Sequence, residues 1–232
     1  MNANETPPRL AQARRAALQL QQELRLAPTA GAVVPDAQTL DQLEREWLPD
    51  NLVRCRVTPA CTGACQQHRR CETSYWRAHH RKARTLLGQF AEVLGVDPAL
   101  YRVAGFVYDM DYLKFPHDLG DGPLTEAHPF PIVRALMRLN APPELCLAVL
   151  EHAPHLPLPA SGPLSLALSA CGDLVTLAAA EVDIPWPTDL PPAWIACLNA
   201  APRGGLQDRA VTANRFMQHV LPALRELAGG LA

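Results

Sequence analysis

Six of the eight histidines fall between His79 and His155, with acidic residues interleaved among them. Imidazole and carboxylate groups in combination suit divalent first-row transition metals: Mn, Fe, Co, Ni or Zn. On a helix, His79 shares its face with Ala83, Leu86, Leu87, Phe90 and Leu94, an apolar stripe that turns it inward. His80 shares its face with Arg84 and is expected to point outward. Asp109 closes the apolar run that begins at Val103, and Asp173 interrupts a longer one from Leu164 to Val182. A buried carboxylate is costly without a cation or hydrogen-bond partner, so both acids require one. His128 stands before the prolines that open one helix, and His152 closes the next. Each feature alone also suits a satisfied core histidine, a capped acid or a surface cap. His117 and Asp118, in a stretch rich in Pro, Gly and Asp, are either substrate contacts or solvent-facing residues.

A second group is Cys61-x3-Cys65-x2-His68-x2-Cys71, with Cys55 nearby. Three thiolates and one imidazole form a suitable tetrahedral set for a structural zinc, and cysteines also hold iron–sulfur clusters. The spacing lacks the two close pairs of a zinc finger. A single helix would place these groups on one stripe, a poor geometry for enclosing an ion, but Pro59 and Gly63 favour a loop that could wrap. Buried or simply reduced thiols are the alternative.

The elements that must carry these groups are helices. The chain of 232 residues contains 35 Leu and 36 Ala but only 3 Ile, a balance that favours helix over strand. Its 23 prolines, about twice the usual share, divide the helices with rigid connections. Spacing predicts helices over 8–27, 73–94, 99–111, 129–139, 142–153, 163–181 and 206–228. A shorter one is capped by Thr39 and runs through Trp47. Residues 28–38 read as a linker, 112–127 as a functional loop, and 183–203 as a Pro- and Trp-punctuated tail. The expected organisation is an N-terminal helical extension (1–54), a Cys/His-rich segment (55–72), a helical core (73–182), and a connection with a C-terminal helix (183–232).

Lys and Arg number 21 against 23 Asp and Glu, a net charge of -2, which excludes a dedicated nucleic-acid binder of strongly basic character. The first 30 residues have no continuous apolar segment of the secretory kind. Asp173 stands near the middle of the longest apolar stretch, against a membrane span. Seven cysteines without an export signal argue against a disulfide framework, and the expectation is a cytoplasmic protein.

Taken in order, His79, Tyr108-Asp109-Met110-Asp111-Tyr112-Leu113-Lys114, Glu126-Ala127-His128, Glu151-His152 and Asp173 resemble the HD-domain superfamily of helical metalloenzymes, over roughly residues 76–182. The family pattern has an early His, a His-Asp doublet, further His residues and a late Asp. The resemblance implies an all-α, compact helical bundle. It also implies one metal held by His79, the doublet's first residue, Asp109 and Asp173, and a second held by Asp109, His128 and His152. Here the doublet begins with Tyr108 where the family has His. A phenol, with a pKa of ~10, is a poor ligand near neutral pH unless the metal lowers it. A single-metal site, a Tyr-ligated ferric site and an empty degenerate site are therefore all open. Asp111 and Lys114 match the extended doublet; Asp111 would orient water or act as a base, and Lys114 would meet an anionic substrate group. Tyr108 and His117 are the candidate substrate contacts.

The leading expectation is a metal-dependent hydrolase acting on a small phosphate ester or nucleotide. One alternative is a non-catalytic HD-like scaffold for a ligand, a protein partner or a second copy, using the Leu-rich terminal helices. The other is an iron-dependent oxygenase, which Tyr108 disfavours because such relatives keep all their histidines.

Overall fold

Among the described residues, proline is the first residue of five helices, where the missing N–H is harmless and φ is already set. The computed structural model describes residues 8–48, 73–116, 122–176, 188–200, 218 and 220–231. Among them the protein is all-helical, without a strand. The helices are α1 (Pro8–Leu26), α2 (Ala37–Trp47), α3 (Thr73–Leu94), α4 (Pro98–Val107), α5 (Phe130–Arg138), α6 (Pro143–Glu151), α7 (Pro163–Thr176), α8 (Pro192–Asn199) and α9 (Leu221–Leu231). A short 3-10 turn, Leu124–Glu126, precedes α5. No described helix is long and apolar enough to cross a membrane.

Local chemistry fixes the boundaries. Helix α3 ends where Gly95 takes φ +73°, with Val96 N–H donating to Ala91 C=O and Gly95 N–H to Glu92 C=O. This doubly bonded left-handed cap is open to glycine at no steric cost. Asp97 then accepts from Ala99 N–H to start α4. Helix α2 is capped by Asp36, which accepts from Thr39 N–H at 2.8 Å, rather than by Thr39 as the sequence pattern suggested. The helix thus starts three residues earlier, and Thr39 is a donor to the cap rather than the cap itself. Helix α4 stops at Val107 with Tyr108 as its C-cap, earlier than expected, and Asp109 and Asp111 fall in the tight turns that follow.

Helices α3, α4, α6 and α7 form the centre. Helix α6 buries every residue except Glu144. Helices α3 and α4 approach closely at Gly105, where an added Cβ would lie 2.6 Å from the Ala83 carbonyl oxygen. Helix α1 packs on α6, and Ala13, Ala17 and Leu24 join one continuous core with Leu86, Phe90, Leu136 and Leu168. Helix α8, inside the stretch read as a tail, packs on α3 through the edge-on pair Phe90–Trp194. The Cys/His-rich segment with Cys61, Cys65, His68 and Cys71 lies outside the described residues, as do His117 and residues 177–187.

Candidate metal centre

The turn after α4, the approach to α5 and the end of α6 meet at one carboxylate. Asp109 Oδ1 lies 3.3 Å from His128 Nε2 and 3.2 Å from His152 Nε2, and Oδ2 lies 3.4 Å from His79 Nε2. Asp109, His128 and His152 each offer one ligand atom within 4.8 Å of the others, a group that can hold a metal ion. Helix α7 brings Asp173 to the same cavity, which measures about 100 Å³.

Both ligand-type histidines are oriented from behind. His152 Nδ1 is 2.6 Å from the Val149 carbonyl, which can only accept, so Nδ1 carries the proton. His128 Nδ1 donates to Asp111 Oδ1 at 2.7 Å. In the neutral rings, two Nε2 lone pairs therefore face a carboxylate oxygen. That set repels itself unless a cation or protons intervene, and it is the tautomer arrangement that metal-binding histidines adopt.

Asp111 is fully buried. Its second oxygen accepts from Ile132 N–H at 3.2 Å, in the first turn of α5, where a negative charge is favoured. It therefore sits behind His128 and positions that ring; the role of facing water or acting as a base does not fit this placement. The reason is the tight turn: residues two apart in a helical pitch project to nearly opposite sides. Lys114, expected near an anionic substrate group, instead donates to the Glu46 carbonyl and lies over the Trp47 ring at the end of α2.

Tyr108 has 2% exposure and its hydroxyl contacts His79 Nε2. Its ring rests against Gly172, where a Cβ would come within 3.0 Å. Burial, then the negative charge of Asp109, push the Tyr108 phenol well above its ordinary value of 10.0. Burial also raises the Asp109 carboxyl, but once protons sit on the surrounding rings the hydrogen bonds from His152 and His79 and the charges of His128 and His152 outweigh it. The net position is well below 3.8.

His80 does not point outward: it has no exposed surface. Trp76 and Phe106 flank its ring, tilted and edge-on, with centroids 6.0 and 6.3 Å away, because α4 covers the flank of α3 that a single-stripe reading leaves to solvent. Neither ring nitrogen makes a hydrogen bond of ordinary geometry. Burial, reinforced by His79, lowers its pKa from 6.5 to about 3.

Sequence reasoning missed the aromatic wall. Tyr75 stacks on His79 at 6.0 Å, Trp76 meets His79 at 5.5 Å, and Tyr112 meets His128 at 5.4 Å. His155, in the Pro-rich connection to α7, also lines the cavity. Trp76 was legible as the preceding member of the His79 stripe, whereas nothing in the spacing around His155 marks it. The sequence pattern and the geometry thus converge on Asp109, while no protein-family model, curated protein or solved structure matches the chain, so the chemistry of this centre rests on its own side chains.

Proposed function

We propose that the chain binds a divalent transition metal at Asp109, His128 and His152 and is a metal-dependent hydrolase of a phosphate ester or nucleotide. One observation carries the reading: two imidazoles with Nδ1 protons committed elsewhere aim Nε2 at one carboxylate oxygen, at 3.2 and 3.3 Å. A bound ion would supply Lewis acidity and an activated water. Asp111 and the Val149 carbonyl keep the two rings in register, so the donors need little reorganisation when an ion arrives. No Lys or Arg appears among the described residues lining the cavity, so a bound ion would supply the fixed positive charge that an anionic phosphoryl group needs there. Tyr75, Trp76 and Tyr112 offer apolar faces to a planar group of the substrate.

The test is metal content of chelator-free protein together with phosphate release from phosphomonoesters and nucleotides. Wild type should carry metal and release phosphate in a metal-stimulated manner, and Asp109→Ala and His128→Ala should lose both. Metal unchanged in these variants would remove the centre. Loaded protein inert toward the whole panel would remove the hydrolase.

A further inference from the structure

Asp109 presents two faces. Oδ1 is approached by His128 and His152, and Oδ2 by His79 at 3.4 Å. A carboxylate with imidazole nitrogens on both oxygens has the geometry to bridge two ions, but the two faces differ in one respect. The Nε2 atoms of His128 and His152 face Asp109 Oδ1, whereas Nε2 of His79 is also held by the Tyr108 hydroxyl.

We propose that Tyr108 caps His79 and thereby limits the centre to a single metal ion, on the Oδ1 face of Asp109. The inference rests on the metal reading above. It holds for either direction of the hydrogen bond. If the phenol donates, the Nε2 lone pair is occupied; if Nε2–H donates to the phenol oxygen, the nitrogen carries a proton. Neither state leaves an electron pair for a metal.

The cap is a built feature. The Tyr108 ring packs against His79 and His152 with centroids 5.6 and 5.0 Å apart. Its seat against α7 is close because residue 172 is glycine: a Cβ there would lie 3.0 Å from Cε2 and 3.4 Å from the hydroxyl oxygen. An enclosed ring with a seat of this kind cannot swing away from His79 without disturbing α7. Removing the hydroxyl should free His79 Nε2, which with Asp109 Oδ2 and Asp173 on the same cavity gives a second ion its donors.

The experiment is titration of metal-stripped full-length protein with Mn(II), a hard ion that disfavours the cysteine segment. Bound ions per chain and the electron paramagnetic resonance spectrum are read together. Wild type should bind one ion with an uncoupled signal, lost in His128→Ala. Tyr108→Phe and Tyr108→His should bind two and show a spin-coupled pair, and adding His79→Ala to Tyr108→Phe should return the count to one. In the wild-type background, His79→Ala should leave the single ion in place.

Two ions in wild type, or loss of the single ion in His79→Ala, would overturn the cap. So would Tyr108 variants that remain at one ion while keeping the wild-type helical circular dichroism. Those results leave the metal reading standing as long as His128→Ala abolishes binding. A wild type that binds no Mn(II), or binding that survives in His128→Ala, overturns the metal reading and the cap with it.

Discussion

His128 holds its Nδ1 2.7 Å from Oδ1 of Asp111, a carboxylate with no exposed surface whose other oxygen caps the start of α5. One buried acid therefore fixes both the direction of a candidate ligand and the position of the helix that follows it.

Substituting Asp111→Asn should separate these two jobs. The amide oxygen can still accept from His128, but the amide nitrogen then faces the Ile132 N–H, donor against donor. Metal affinity should fall about 10–100-fold, the usual effect of removing an acid that orients a metal-bound histidine. Thermal stability of the metal-free protein should fall as well, because a buried donor is left unsatisfied. Mn(II) titration and calorimetry with chelator measure the two effects. Unchanged affinity would show that Asp111 serves the helix alone.

Glu151 ties three elements together next to His152. It accepts from Gln21 on α1 at 2.6 Å, from Ser161 N–H and Oγ at 2.8 and 2.9 Å, and from the Ser165 hydroxyl on α7. Glu151→Ala would strand these donors in a site only 7% exposed, and the expected loss is roughly 2–4 kcal/mol. Chemical denaturation checks this. Gln21→Leu, which removes one donor but leaves the carboxylate its other partners, should lose less.

The buried His80 predicts a pH dependence. Burial, aided by His79, holds its folded-state pKa at about 3 against 6.5 for the free side chain. The unfolded chain therefore binds more protons between these values, and stability must fall as pH drops from 6.5 toward 3. The contribution is at most about 1.4 kcal/mol per pH unit. Asp109, with its folded pKa depressed, contributes stability above 3.8 that is lost only as pH falls below that value. His80→Phe should flatten the metal-free profile in the upper window and leave the lower one. A profile unchanged between pH 6.5 and 4 would show that His80 is protonated without cost.

Much of this arrangement was legible in the sequence, for identifiable reasons. The His79 stripe and the Gly95 stop define α3 because one apolar face and one left-handed cap are local properties. Asp109 stood out because a carboxylate closing an apolar run needs a partner, whereas the histidines that meet it were chosen by the ordered resemblance to the HD pattern, since each alone also suits a core histidine or a surface cap. His80 was misread because α3 is covered on more than one flank, and periodicity reports one stripe, not how many neighbours a helix has. Asp111 and Lys114 were misjudged because α4 stops at Val107, so the direction of each later side chain depends on turns with no periodic signal. Tyr108 was visible as a departure from the doublet pattern, but its contact with His79 is helped by the absence of a side chain at Gly172, a residue far downstream on another helix that no local spacing pairs with it.

Two helical glycines test how tightly the centre is packed, with opposite expectations for stability. Glycine to alanine inside a helix gains about 0.5–1 kcal/mol from backbone entropy. At Gly105 that gain is overwhelmed, because the new Cβ would lie 2.6 Å from the Ala83 carbonyl oxygen, backbone that cannot yield unless α3 and α4 separate. Gly105→Ala should therefore be destabilising by about 1–3 kcal/mol net, the range seen for overpacked cores. At Gly172 the nearest atoms, 3.0–3.4 Å away, all belong to the Tyr108 ring, which can tilt by a few tenths of an ångström. Helix gain and ring strain then nearly offset, and Gly172→Ala should be close to neutral in denaturant midpoint. What should change is the ring's contact with His79, read as a shift of the Tyr108 hydroxyl and His79 imidazole resonances by nuclear magnetic resonance. A large loss of stability at Gly172 would mean that Tyr108 is clamped too firmly to yield; unchanged resonances would mean that the ring does not depend on the missing Cβ for its place.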